Sequence, residues 1–235
     1  MVSLIIPLYN EQDTIALLQA RLSAFLMEFR HPIEVIFVDD GSTDHTLERL
    51  NEICEEGYKI ISYPHNRGKG HALKRGVEQA RGEYIFYTDA DLTYGLQVIN
   101  KAMQVFRTYH CDIVVGSRHL ANFGYEDRSW VHKLASFTFA HAFAILIRSY
   151  LHIGQSDSQC GFKGFRAEVA RHLFAQCQVE GFGIDFEVLY LAAREKLDVR
   201  EMAAQTIHVG QPSSSPVRDT LHIMGEMKNV KRLHK

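Results

Sequence analysis

The 235-residue sequence has few of the features that most quickly assign a chain to a class. Its four cysteines, Cys54, Cys111, Cys160 and Cys177, form no CxxC pair and no metal-ligand spacing. That argues against a zinc module or a disulfide framework and reads as reduced thiols packed in apolar surroundings. No run of about 18 uncharged apolar residues occurs, so no stretch reads as a membrane-spanning helix. Charge is nearly balanced, 26 Lys and Arg against 28 Asp and Glu, and a net −2 gives no argument for nucleic acid. The chain opens directly into VSLIIPLY, without the features of a signal peptide, so a cytoplasmic location is expected. There is no HExxH among the 13 histidines and no GxSxG around Ser42 or Ser117, which argues against a zinc protease and a serine hydrolase. Internal repeats and low-complexity linkers are also missing, and the length fits one large domain or two small ones.

What is present is a regular alternation. Strand-like runs at Val2–Pro7, Glu34–Asp39, Lys59–Tyr63 and Glu83–Asp89 alternate with helix-like segments near 13–29, 43–56 and 71–80. Asp13 and Thr43 or Asp44 are candidate N-caps, and Gly57 and Gly82 candidate stops. Strands that read as unbroken apolar runs, VIFVD and YIFYTD, predict an α/β fold with a mostly parallel sheet covered by helices on both faces. Such sheets bind ligands beyond the carboxyl ends of their strands. Four polar clusters fall at those ends: Tyr9-Asn10-Glu11, Asp39 to Ser42, His65 to Gly70, and Asp89-Ala90-Asp91. The second half is less regular: a strand at Asp112–Ser117, an apolar helical stretch over 129–152, a polar loop at 154–164 and a helix over 182–195.

The Asp89-Ala90-Asp91 run carries the most chemistry. In an extended backbone its two carboxylates point to one side and suit a hard divalent cation shared with a diphosphate. Asp39 and Asp40 either cap the following helix or offer a carboxylate to a nucleobase N–H. The segment HNRGKG sets two glycines around Lys69; it reads either as a phosphate-contacting loop or as a solvated basic one, and its spacing is not that of a P-loop. Arg118 and Arg128 are candidate anion clamps or surface arginines. His71 and His208 are the histidines nearest the suspected site loops.

The order SLIIPLYNE, VIFVDDGSTD, NRGKGHALKRG, YIFYTDADL, VVGSR resembles the catalytic domain of family-2 glycosyltransferases with a GT-A fold, a Rossmann-like single domain. The later DSQCGFKGFR and GFGIDFEVLYLA are similar to the polyprenyl-phosphate group within it, which includes dolichyl-phosphate glucosyl- and mannosyltransferases. The resemblance spans about residues 2–210 and leaves 211–235 as a basic tail. It implies that Pro7, Tyr9, Glu11, Val38 and Asp40 hold the donor nucleoside, and that Lys69, Asp89 and Ala90 lie at the diphosphate. It further implies Asp89 and Asp91 as ligands of Mg²⁺ or Mn²⁺, Asp91 the more direct. Arg118, Arg128, Gln159 and Lys163 would serve the acceptor, with Asp185 and Glu187 bordering the site. The sequence departs from the family after the Asp pair, where LTYGLQ leaves Thr93 and Gln97 without a role.

The implied reaction is inverting transfer of a hexose from a nucleotide diphosphate sugar, UDP-glucose or GDP-mannose, to a polyprenyl monophosphate. A phosphate monoester is largely dianionic at neutral pH and needs no strong base. A hydroxyl acceptor would need one, and Asp185 or Asp157 would then be the candidates. The acceptor also implies a membrane surface, reached peripherally at the cytoplasmic face. The apolar stretch at 134–147 is either interfacial or an ordinary core helix. The tail from Val217, with five Lys and Arg against two acidic residues, either meets anionic lipid or is a solvated terminus.

Overall fold

The computed structural model describes residues 1–54, 58–118, 120–121, 153–207, 225 and 229–234. The expected apolar stretch at 129–152, Arg128, His208, the stop at Gly57 and most of the basic tail lie outside them.

Thirteen elements are defined among the described residues. The first half contains β1 (Val2–Leu8), α1 (Ile15–Glu28), β2 (Ile33–Asp39), α2 (Thr46–Glu52), β3 (Tyr58–Ser62), α3 (Lys69–Gln79) and β4 (Tyr84–Tyr87). Then come α4 (Val98–Tyr109), β5 (Ile113–Ser117), β6 (Lys163–Arg166), α5 (Ala167–Gln176), α6 (Ile184–Arg194) and β7 (Val199–Ala203). The strands form one seven-stranded sheet in the order β3-β2-β1-β4-β6-β5-β7. Strand β6 is antiparallel to both its neighbours, β4 and β5, and the other pairings are parallel.

Two apolar layers sandwich the sheet because alternate residues of the central strands face opposite ways. Leu4, Ile6, Val35, Phe37 and Phe86 pack under α1 and α4, while Ile5, Ile36, Val38, Ile85 and Tyr87 pack under α3, α5 and α6. The unbroken apolar runs arise from this double burial.

The structure corrects several expected boundaries. Helix α1 begins at Ile15 after Thr14 rather than at Asp13, and α2 begins at Thr46. Asp44 does act at that start, with Oδ1 accepting from Thr46 N at 3.0 Å. Gly82 is not a helix stop, since α3 ends at Gln79. It is a close-approach residue, and a Cβ there would stand 2.5 Å from Ser3 N. The expected loop at 154–164 runs into β6, and α5 and β7 are elements that hydrophobic patterning did not reveal. The fourth strand stops at Tyr87, two residues before Asp89.

Candidate active site

The carboxyl ends of the parallel strands and the start of β6 lie on one edge of the sheet, and hydrogen bonds lace their loops together. After β1, Asn10 takes a left-handed conformation (φ 53°), and its Oδ1 accepts from Thr43 N at 2.8 Å. Glu11 N donates to Thr46 Oγ1 at 2.8 Å. Tyr9 is exposed beside this junction, and Pro7 is half-buried. Val38 is fully buried under α3, so its side chain faces the core.

Asp40, expected at a nucleobase, is almost wholly enclosed. Its carboxylate accepts from Tyr63 OH (2.7 Å), Asn66 Nδ2 (2.8 Å), Arg67 N (2.9 Å) and Gly68 N (2.7 Å). Burial first, then the hydrogen bond and charge of Asp40, push the Tyr63 phenol far above its ordinary value. Asp40 therefore holds the HNRGKG loop in shape. Within the protein that loop's glycines serve close approach to the backbone of residues 179 and 180. Gly68 sits at φ 100°, where a Cβ would stand 2.5 Å from Glu180 O, and Gly70 N and His71 N both donate to that same oxygen. With three of its backbone amides committed, the loop presents the Lys69 side chain to the site.

Lys69 Nζ donates to Asp89 Oδ1 at 2.8 Å and to Asp185 Oδ2 at 3.0 Å. Burial alone would weaken its hold on the proton, but Asp185 and Asp89 outweigh that and raise its pKa. Asp185, on the first turn of α6, also accepts from Tyr87 OH at 2.7 Å and from the Lys163 ammonium. Burial would raise the Asp185 pKa, yet Lys163 and Lys69 pull it down to about 2. Lys163, expected at the acceptor, is fully buried; its remaining contact is Cys160 O at 2.9 Å. Its aliphatic stem and ammonium sit under the sheet edge rather than on its surface.

The two carboxylates of the Asp89-Ala90-Asp91 run do not project from an extended strand. Asp89 follows the end of β4, Leu92 takes φ 48°, and Leu92 N closes a turn onto Asp89 O at 3.1 Å. Ala90 is buried within the turn. Asp91 is exposed, and its carboxylate accepts from the amide (2.9 Å) and hydroxyl of Thr93. Thr93 thus gains a role that the family resemblance left open, while Gln97 donates to Glu28 at 3.0 Å. Among the described residues no group of three or more His, Cys, Asp or Glu side chains could hold a metal ion unaided.

On the other side of Asp89, Arg118 forms a bidentate pair with Asp157, Nε to Oδ2 and Nη2 to Oδ1 both at 2.7 Å, and Arg118 N adds a third bond at 2.9 Å. That pairing holds the guanidinium firmly protonated. Asp157 is nearly sealed from solvent, whereas about half of the Arg118 side chain (48%) stays exposed. Glu201 of β7 fixes the turn beneath them, accepting from Ser156 N at 2.8 Å and Asp157 N at 3.2 Å. Gln159 is half-buried on the same turn. Glu187 lies apart from this edge, fully buried and accepting from Gln178 N and Val179 N.

The residues that sequence reasoning missed are Tyr63, Tyr87 and Glu201. Only Tyr87 carried a signal, a polar-tipped aromatic at the end of an apolar strand next to the carboxylate pair.

Known proteins are similar to this chain in sequence and fold. A dolichyl-phosphate beta-glucosyltransferase of Dictyostelium discoideum is 28% identical over 243 residues, covering 97% of this chain and 73% of its own. The Saccharomyces cerevisiae and Homo sapiens proteins of that name are 32% and 31% identical, covering 85% and 86% of this chain and 65% of their own. The chain therefore spans about two thirds to three quarters of the length of these relatives. In three dimensions it is similar to glucosyl-3-phosphoglycerate synthase of Mycobacterium tuberculosis, solved with Mn²⁺, UDP and glucosyl-3-phosphoglycerate. The TM-score is 0.67 at 18% identity, covering 98% of this chain and 79% of that one, a likeness of GT-A fold. Residues 3–174 match the model of glycosyl transferase family 2, and the chain belongs to that family.

Proposed function

We propose that the protein transfers a hexose, glucose from UDP-glucose in the first instance, to a polyprenyl monophosphate of the dolichyl type. The names of the relatives support both partners. One observation on this chain supports a phosphate acceptor over a hydroxyl. The two carboxylates that would serve a hydroxyl as general base are both committed: Asp185 accepts from two ammoniums and a phenol, and Asp157 is paired in bidentate fashion with Arg118. A carboxylate with a pKa of about 2 is a poor proton acceptor at neutral pH. A dianionic phosphate oxygen attacks without one, and its obstacle is repulsion from the donor diphosphate. Arg118, half exposed and oriented by Asp157, faces that problem with a fixed guanidinium. Arg128 is proposed as its partner at the acceptor, with Gln159 on the same turn.

On the donor side, Pro7, Tyr9 and Glu11 border the nucleoside, Asp40 shapes the loop beside it, and Lys69 meets the diphosphate. The donor set at Asp89 and Asp91 fits a divalent cation, Mg²⁺ or Mn²⁺. Asp91 is exposed, with only Thr93 on its oxygens, and both carboxylates leave most positions to phosphate and water, as Mg²⁺ prefers. Such a cation would supply Lewis-acid stabilisation of the leaving diphosphate.

No helix among the described residues is long and apolar enough to cross a membrane. Access to a lipid acceptor is proposed as peripheral, at the cytoplasmic membrane face. The test is transfer of radiolabel from UDP-glucose, with GDP-mannose in parallel, to dolichyl phosphate in detergent with Mg²⁺. An organic-extractable, mild-acid-labile product supports the proposal. Transfer to a water-soluble hydroxyl acceptor with no lipid product overturns it.

A further inference from the structure

We infer that Lys163 is a positioning residue that neutralises Asp185 so that the charge of Lys69 remains available to the donor diphosphate. The inference rests on the proposed role of Lys69 at that diphosphate.

The geometry is a linear array of alternating charge: Lys163, Asp185, Lys69, Asp89. Lys163 meets one oxygen of Asp185, Oδ1, and Lys69 meets the other, Oδ2, at 3.0 Å. Lys69 then reaches Asp89 Oδ1 at 2.8 Å. The inner end is dry: Lys163 is 0% exposed and Asp185 5%, whereas Asp89 is open, with 42% of its side chain accessible. A buried carboxylate left with one cation binds it strongly, because the low dielectric magnifies the attraction and no water competes. With the Lys163 ammonium and the Tyr87 hydroxyl against it, Asp185 is already satisfied before Lys69 is counted.

The four charges cancel as they stand. Were the exposed Asp89 carboxylate given over to a donor-bound cation, Lys69 would lose one anion and become a net positive group facing the phosphates. It would do so only because Lys163 keeps Asp185 neutralised. Without Lys163, Asp185 and Lys69 would close into a buried pair of zero net charge, and the ammonium would have little attraction left for the donor. Lys163 itself never reaches the surface, and its other contact, Cys160 O at 2.9 Å, fixes it to the turn before β6. Its action on the reaction therefore runs wholly through Asp185.

The test measures binding of UDP with Mg²⁺ to the full chain by calorimetry, with thermal melting of each variant alongside. Lys69→Met is expected to weaken UDP by about tenfold or more, the loss of a charge-assisted contact. Lys163→Met is expected to weaken it by a similar factor, about tenfold. Adding Asp185→Asn to Lys163→Met removes the carboxylate that would trap Lys69, and is expected to recover UDP affinity to within about threefold of the original. Unchanged UDP binding in Lys69→Met would refute the diphosphate role of Lys69 and, with it, this inference. If Lys69→Met weakens UDP but Lys163→Met does not, the inference alone is overturned. It is overturned equally if the double variant melts like the original protein yet binds as poorly as Lys69→Met. Should Lys163→Met fail to fold, the double variant decides by itself, because it buries no unpaired charge.

Discussion

Asp89 Oδ2 lies where a side chain on Gly161 would be: a Cβ built on that glycine would stand 1.7 Å from the oxygen. The turn that leads into β6 is thereby fitted around the carboxylate that follows β4, and each constrains the other.

Gly161→Ala should accordingly spare the fold and injure the site. The obstructing atom is the end of a side chain, which can rotate away at modest cost, but the new methyl group then dictates where the Asp89 carboxylate goes and moves it from the place in which it would serve a cation shared with Asp91. We expect melting to shift by only a few degrees, a cost of about 1 kcal/mol, while affinity for UDP with Mg²⁺ falls by about tenfold. A variant that loses its fold and its binding together would contradict this.

Asp40→Asn should loosen the donor loop. An amide has one acceptor oxygen where the carboxylate has two, and its NH₂ would face the donors on Asn66 and Gly68 or those on Tyr63 and Arg67. The expected loss is about 2–4 kcal/mol of stability, read from denaturant unfolding, with faster amide exchange over residues 65–71.

How much of this was legible in the sequence depends on which residues carried it. The strands β1, β2 and β4 were plain because both their faces are buried, which leaves an unbroken apolar run such as VIFVD. Strand β6 was not, because KGFR places a lysine at a fully buried position, and hydrophobic patterning has no means to anticipate a cation whose partner, Asp185, lies 22 residues away. The polar strand ends do meet at one edge of the sheet, as their spacing suggested, but the bonds among them were not legible. Alternation assigned Asp89 and Asp91 to one face of a strand, whereas the ladder stops at Tyr87 and the backbone turns. The glycines of HNRGKG suggested a phosphate cradle, yet the chain uses them for close approach to Glu180, a contact invisible in local spacing.

Acid should expose the Asp185 network. Its folded pKa, about 2, lies below the ordinary value of 3.8, so its stabilisation is complete above about pH 4 and is lost as pH falls toward 2. For this buried group the difference is about 2 kcal/mol. Unfolding free energy measured against pH should fall through that window, and Asp185→Asn should flatten the fall.

Chelation and Asp91 should act together. Removing divalent cations with EDTA, or replacing Asp91 by Asn, is expected to lower transfer by at least about 100-fold, with activity returning on adding Mg²⁺ only in the unsubstituted chain. Full activity in EDTA would dismiss a cation at Asp89 and Asp91.

Arg118→Lys should separate binding from chemistry. Lysine cannot reproduce the bidentate pair with Asp157. The acceptor KM is expected to rise by about tenfold with the donor KM unchanged.

The placement of β6 between β4 and β5 also has an architectural consequence. Chain leaving β5 at Ser117 returns at Lys163 on the adjoining strand, and the antiparallel partners Val115 and Lys163 clasp the base of everything between. The Arg118–Asp157 pair adds a second clasp just above. Two such fastenings leave the sheet insensitive to the length of chain that joins them, since the entropy of closure grows only with the logarithm of that length.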